Sequence, residues 1–335
     1  TINGGSGMDN ILGEAGDDNL TGGTGNDVIS GGDGDDTIVW NAGDGSDVIE
    51  GGAGSDVQQV NASTGANTMT VADGGVGGRL SFQGGSFTLD IGTVEALEVN
   101  AGDGDDTVTI NDLPNVLDLQ EIDVDLGEGD DTFDASALSD LGLDVAAVGR
   151  GGDDILRASA NGDDLNGSSG RDTLFGGIGD DLLDGGIGSD QVNQTVDGVQ
   201  LLTDGQLTGS GIDTLSEIEQ ASLRGGTGDD TIDASGFTGS VTLSGAAGID
   251  NLTGGSGDDK IFGGSGNDVI TGGGGADRLN GQGGADSLLG GDGDDTFQGG
   301  AGNDTIAGGS GTNIITEVGD VNYRLTNTKL SGLGT

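Results

Sequence analysis

The chain contains no cysteine and no histidine. Disulfide frameworks and thiolate metal sites are therefore excluded. So are serine–histidine and cysteine–histidine nucleophilic centres, and zinc sites built on histidine. One proline, 3% aromatic residues and nine lysines and arginines in 335 residues complete the scarcities. Strong acidity, a net charge of −50, argues against nucleic acid or an anionic membrane surface as a direct partner. No apolar run approaches the roughly 20 residues of a membrane-spanning helix, so no direct membrane insertion is expected.

Glycine and acid dominate instead: 77 glycines, 59 aspartates and glutamates, and a net charge of −50. Low hydrophobicity with high charge normally marks a disordered chain, because too little apolar surface is buried to offset chain entropy. The apolar residues here, however, are regularly placed. A nine-residue frame, G-G-x-G-x-D-x-U-x with U large and apolar, recurs as GGSGDDKIF, GGSGNDVIT, GGGGADRLN, GQGGADSLL, GGDGDDTFQ and GGAGNDTIA. A short fixed period is the signature of a solenoid. The chain is expected to fold conditionally, ordered once its charges are neutralised.

The frame divides the chain into six segments. Residues 1–59 carry Asp9, Asp18, Asp27, Asp36, Asp47 and Asp56 at position six, with one insertion at Trp40 and Asn41. Residues 149–193 carry Asp154, Asp163, Asp172, Asp181 and Asp190, with Arg150 and Ser168 replacing the second glycine. Residues 245–316 carry Asp250, Asp259, Asp268, Asp277, Asp286, Asp295 and Asp304, and end on Asn313 at the aspartate position. The intervening segments, 60–148 and 194–244, are looser coils with isolated units at Asp106, Asp131, Asp213 and Asp230. Alternation in RLSFQG, SFTLDIG and ALEVNAG reads as strand, and this much glycine penalises helix. Gln58, at an apolar position, is expected to end a packed stack, and Trp40 to cover a core edge at a bulge. GDDTFDAS (129–136) returns as GDDTIDAS (228–235), and TVEALE (93–98) is loosely echoed by LSEIEQA (215–221). Residues 317–335 read as the start of a further coil, since Leu325–Thr335 aligns with Leu202–Ile212. Both ends are thus expected to be cut from a longer repetitive protein.

The spacing carries its own chemistry. Glycines at positions one, two and four permit positive φ and expose carbonyl oxygens in a tight turn. The aspartate supplies a short carboxylate at the end of that turn, and x-U-x then runs extended with U inward. Two nonapeptides make one flattened coil, so aspartates 18 residues apart stack: Asp259 beneath Asp277, Asp268 beneath Asp286. Stacked strands are about 4.8 Å apart, too close for bare carboxylates. Calcium between turns, which takes six to eight oxygens at about 2.4 Å, answers that repulsion better than the stricter magnesium. All the position-six aspartates above and Asn313, a terminal half-site, are the candidate ligands. Counting a site wherever two turns stack gives roughly 13 to 17 calcium ions. The other acidic residue of each GDD, at position five, such as Asp35 beside Asp36, is expected to be a solvent-facing charge. Arg150, Arg157 and Arg171 are expected to compensate charge among the acidic turns.

These nonapeptides resemble the RTX, or hemolysin-type, calcium-binding repeats. The resemblance implies an all-β, right-handed parallel β-roll or β-solenoid of GGxGxDxUx repeats with calcium between turns. It also implies type I secretion by a Gram-negative bacterium and calcium-triggered folding outside the cell. The expected function is a non-catalytic, calcium-folded structural segment of a secreted surface, matrix or filament protein, with end-to-end self-association. The alternatives are a calcium-binding export and folding region of a larger toxin or enzyme, or an adhesin extender.

Overall fold

The computed structural model describes residues 1–75, 78–139, 142–316 and the backbone of the strand 324–326. Most of the expected coil at 317–335 lies outside the described residues. Among those described there is no helix. In the glycine-rich coils the x-U-x segments alternate inward and outward, so U points inward and each strand pairs with the equivalent strand a full coil away.

Two compact units divide the chain, 1–188 and 189–335, within the expected 149–193 segment. In the first unit, one parallel series runs from Ile2–Ser6 through Asn19–Thr24, Thr37–Asn41, Val57–Asn61, Ala96–Asn100, Glu121–Asp125 and Asp144–Val148 to Asp164–Asn166 and Leu182–Asp184. The other series carries Asn10–Ala15, Val28–Asp33 and Val48–Ala53. In the second unit, Lys260–Ser265, Arg278–Gly283 and Thr296–Ala301 form one series, and Val269–Gly274, Ser287–Asp292 and Thr305–Ser310 the other. Both units are parallel β-solenoids.

The position-eight residues form continuous internal columns. Ile11, Ile29 and Ile49 stack in one, Leu279 and Phe297 in another, and none exceeds 4% exposure. Each such side chain contributes about 1.5–3 kcal/mol when buried, which lets a chain this poor in apolar residues keep a core. Gln58 does not end a stack. It lies fully buried in register between Ile38 and Leu97, its Nε2 donating to the Gln59 carbonyl. The column therefore tolerates one amide rather than stopping at it. Trp40 is buried at the insertion, stacked on Phe87 with ring centroids 3.8 Å apart, and its Nε1 donates to the Gly45 carbonyl at 2.9 Å.

The looser coils depart from a purely parallel solenoid. Thr68–Asp73, Leu80–Gly84 and Phe87–Gly92 are strands, but they pair antiparallel, turning at a two-residue loop, Gly85–Ser86. Gly85 has φ +48, which suits such a hairpin turn. A second antiparallel excursion, Val199–Thr203, Gln206–Thr208 and Ile212–Ser216, lies in the second unit.

Candidate metal centre

At the end of each glycine run the chain enters a strand through the position-six aspartate. From Asp27 onward these aspartates, and Asn313, are no more than 3% exposed, whereas Asp9 and Asp18 are half-buried. Along the ladders each successive aspartate places its Oδ1 against the main-chain N–H of the aspartate one coil earlier, whereas at the ladder starts Oδ1 of Asp106, Asp230 and Asp259 accepts from Asn67, Gly198 and Val241. Asp9 donates to Asp27 at 2.8 Å, and Asp27 to Asp47 at 2.8 Å. Asp18 donates to Asp36 at 2.8 Å, and Asp36 to Asp56 at 2.9 Å. In the second unit Asp230, Asp250, Asp268, Asp286 and Asp304 form one such ladder. Asp259, Asp277, Asp295 and Asn313 form the other. Asp163 donates to Asp181 in the same way at 2.9 Å. The ladder also takes in the isolated units: Asp106 donates to Asp131, Asp131 to Asp154, and Asp154 to Asp172.

The second carboxylate oxygen has a different fate. Oδ2 of Asp27, Asp36, Asp56, Asp106, Asp131, Asp154, Asp250, Asp268, Asp277, Asp286, Asp295 and Asp304 is buried with no hydrogen-bond donor. Leaving so many buried acceptors unpaired is costly unless something binds them. Their surroundings show what would fit. A Cβ added at Gly272 would stand 2.2 Å from Asp277 Oδ2 and 2.6 Å from the Gly290 carbonyl oxygen. At Gly290 the corresponding distances are 2.1 Å to Asp295 Oδ2 and 2.5 Å to the Gly308 carbonyl. A carboxylate oxygen and a carbonyl oxygen thus converge over position-one glycines such as Gly31, Gly149, Gly245, Gly263, Gly272, Gly281 and Gly290. Among the described residues no three acidic side chains gather into a single cluster, so the donors are carboxylate and backbone oxygens together. That all-oxygen set suits a hard cation such as calcium. When bound, the ion supplies positive charge to stacked carboxylates.

Position one is glycine for a reason other than φ. In most turns that retain it, positions two and four take the left-handed conformation and position one does not; the turns before Asp230 and Asp259, with Gly226, Gly228, Gly255 and Gly257, are the exceptions. Its missing Cβ simply leaves the cradle open. At position four the constraint is sharper: Gly284 has φ +146, and a Cβ there would stand 1.4 Å from the Gly266 carbonyl oxygen.

Burial raises the pKa of the bare carboxylates. Burial, helped by the charge of stacked neighbours, pushes Asp154 and Asp277 up to about 7 from an ordinary 3.8. Burial likewise brings Asp47, Asp131 and Asp286 to about 6, against the lowering effect of the ladder hydrogen bonds.

Not every predicted ligand is placed alike. In Asp163, Asp230 and Asp259 the Oδ2 accepts the position-two N–H of its own turn, from Ser159, Gly226 and Gly255, at 2.6–2.7 Å. In those three the Oδ2 is satisfied within the turn. Asp213 stands apart: it is buried in the strand Ile212–Ser216, opposite Leu207 of an antiparallel partner, and its turn is a hairpin loop. No stacked glycine turn presents it. Asn313 accepts the Asp295 N–H with its oxygen, which leaves its Nδ2 facing Gly308 where other turns offer an oxygen. A donor in that place opposes a cation.

One group of residues escaped the sequence reading. Position-five side chains are exposed, as expected, but they also build a second ladder of opposite sense. Asp35 N–H donates to Asp17 Oδ1 at 3.1 Å, Ser55 to Asp35 at 2.9 Å, Ala276 to Asp258 at 2.7 Å and Ala285 to Asn267 at 2.7 Å. The recurrence of Asp or Asn at position five was the available signal. The arginines meet their expected role in part: Arg150 pairs with Asp125 at 2.7 Å and Arg171 with Asp153 at 2.8 Å. Arg157 instead lies over the Phe175 ring, 4.4 Å from its centroid.

The profile of the RTX calcium-binding nonapeptide repeat matches residues 3–38, 41–57, 158–192, 222–236, 244–279 and 280–315, more than half of the chain. The chain belongs to this family. RTX membership carries calcium binding with it and agrees with the all-strand solenoid. RTX repeats are typical of secreted bacterial proteins, and no helix among the described residues is long and apolar enough to cross a membrane. The profile passes over Asp106, Asp131 and Asp154, which the structure nevertheless joins to an RTX ladder. No curated protein gives a significant match.

Proposed function

We propose that the chain is a non-catalytic, calcium-folded structural segment of a secreted bacterial surface, matrix or filament protein. The observation that carries this reading is the column of buried, unpaired Oδ2 atoms, many of which converge with a carbonyl oxygen over a position-one glycine. The turn aspartates with free Oδ2 atoms are the ligands, Asp268, Asp277 and Asp286 among them, within a total of roughly 13 to 17 ions. Binding to the folded state only makes ion binding free energy into folding free energy, so the segment folds where calcium is plentiful. In this reading the turn carboxylates are committed to the ladder through Oδ1 and to the ion through Oδ2. Unpaired strand edges at the ends of a solenoid favour end-to-end association. Circular dichroism with and without chelator tests the folding role. The β signal is expected to collapse on calcium removal and return on re-addition, and an unchanged spectrum would refute it. Electron microscopy in calcium tests assembly: filaments are expected, and monodisperse monomers would remove the filament reading.

A further inference from the structure

In the first unit the Asp18–Asp36–Asp56 ladder does not continue to another aspartate. Asp56 N–H donates instead to Glu95 Oε2 at 2.8 Å, and the Glu95 and Ala96 N–H groups return to the Asp56 carbonyl at 3.0 and 3.1 Å. Glu95 thus holds, toward Asp56, the place that Asp56 holds toward Asp36. Its turn has no glycine run. It is a short corner, Gly92-Thr93-Val94-Glu95, with Val94 buried in the core and Thr93 at φ 49.

The oxygen geometry of the preceding turns is preserved. Over Gly31 an added Cβ would meet Asp36 Oδ2 at 2.2 Å and the Gly51 carbonyl at 2.5 Å; over Gly51 it would meet the Thr93 carbonyl at 2.1 Å and Asp56 Oδ2 at 2.7 Å. Asp56 is fully buried and its Oδ2 has no donor. A β-branched residue in the left-handed region is strained, and here that conformation aims the Thr93 carbonyl at the cradle. The corner is a built feature, because it recurs in the second unit. There Glu217 has φ 51, Ile218 is buried, and Glu219 Oε2 accepts the Asp190 N–H at 2.9 Å.

We infer that Glu95 completes a further cation site at the end of this ladder, with Asp56 Oδ2, the Thr93 carbonyl and the Glu95 carboxylate as oxygen donors to calcium. The inference rests on the aspartate turns being calcium sites. The extra methylene of glutamate spans what the missing glycine run would have covered, so a short, apolar-anchored corner closes the last site. Residues 93–95 lie outside every stretch matched by the repeat profile.

Native mass spectrometry of the full chain in calcium counts the ions. Glu95→Gln is expected to bind one ion fewer than wild type, while Glu98→Gln, an outward carboxylate held by Gln59 Nε2, keeps the wild-type number. A wild type rich in calcium with no loss in Glu95→Gln would overturn the inference. A wild type that binds no calcium would overturn the underlying reading instead. A measurement that does not depend on the variant folding is anomalous scattering from wild-type crystals grown in calcium. A peak is expected over Gly51, within about 2.3–2.6 Å of Asp56 Oδ2; its absence, with peaks in the glycine turns, would overturn the site.

Discussion

Residues 245–316 and residues 60–148 turn the chain at their coil corners by different means. In the first region a glycine run lets the backbone double back, and an aspartate pairs the N–H of the aspartate one coil earlier while stranding a charged Oδ2. In the second, apolar side chains fill several corners. Leu113 and Val116 are buried around one turn, closed by Val116 N–H to the Leu113 carbonyl, and Leu138 closes on Ala135 in the same way. Arg79 adds an internal cation, binding Glu50, Asp90 and the Ile49 and Asp90 carbonyls. Both kinds of corner satisfy the backbone, but only the aspartate kind leaves charge behind. Dependence on calcium should therefore vary along one continuous type of fold.

Calcium removal is the largest lever on this difference. In chelator, hydrogen–deuterium exchange is expected to show residues 245–316 losing amide protection almost completely, while strands between 80 and 125 retain a measurable part of theirs. Equal loss in the two regions would break the comparison. Next in size are paired corner substitutions followed by denaturant unfolding. Leu138→Ala should cost about 2–5 kcal/mol at high and low calcium alike. Gly272→Ala, which pushes a methyl into the cradle beside Asp277 Oδ2, should instead act chiefly by weakening the response to calcium.

A third effect is pH dependence without metal. Asp154 and Asp277 have folded pKa values of about 7 against an ordinary 3.8. Because these values are raised, the folded state binds more protons between about pH 4 and 7, and stability falls as pH rises through that window. The contribution is fully present below pH 3.8 and gone above about 7. In chelator, the β signal at pH 5 should exceed that at pH 8. A signal that grew with pH would contradict the raised pKa values. The smallest effect concerns strain. Gln282 occupies a position-two place at φ 70, and Gln282→Gly should stabilise the calcium form by about 1 kcal/mol, read as a higher thermal midpoint.

Much of the candidate site was legible because its signal is local. Asp268 and Asp286 are separated by two nonapeptides, and the structure joins them by a hydrogen bond at 2.9 Å. Position eight likewise announced its burial at Ile270 and Phe297. What failed depended on the identity of the stacked neighbour. Asp259 looks like every other turn aspartate in sequence, and Asp163 keeps the nine-residue spacing although its turn, 158–162, lacks the glycines of positions one, two and four. Yet their turns stack on the Leu138 and Phe237 corners, through Ala160 N–H to Leu138 and Ser256 N–H to Phe237. Their Oδ2 atoms are satisfied within their own turns. Asp213 kept the spacing but lost its stack to a hairpin.

By itself, the sequence determined that the protein is a solenoid, which residues face inward, and that its turns present carboxylate to a hard cation. Those properties follow from a nine-residue period, and a period is a local quantity. Only the tertiary structure decided which oxygens remain free, where Glu95 replaces an aspartate, and which corners need no ion. Each of those outcomes depends on what lies one coil away, a separation that ranges from 18 to 39 residues along the ladders.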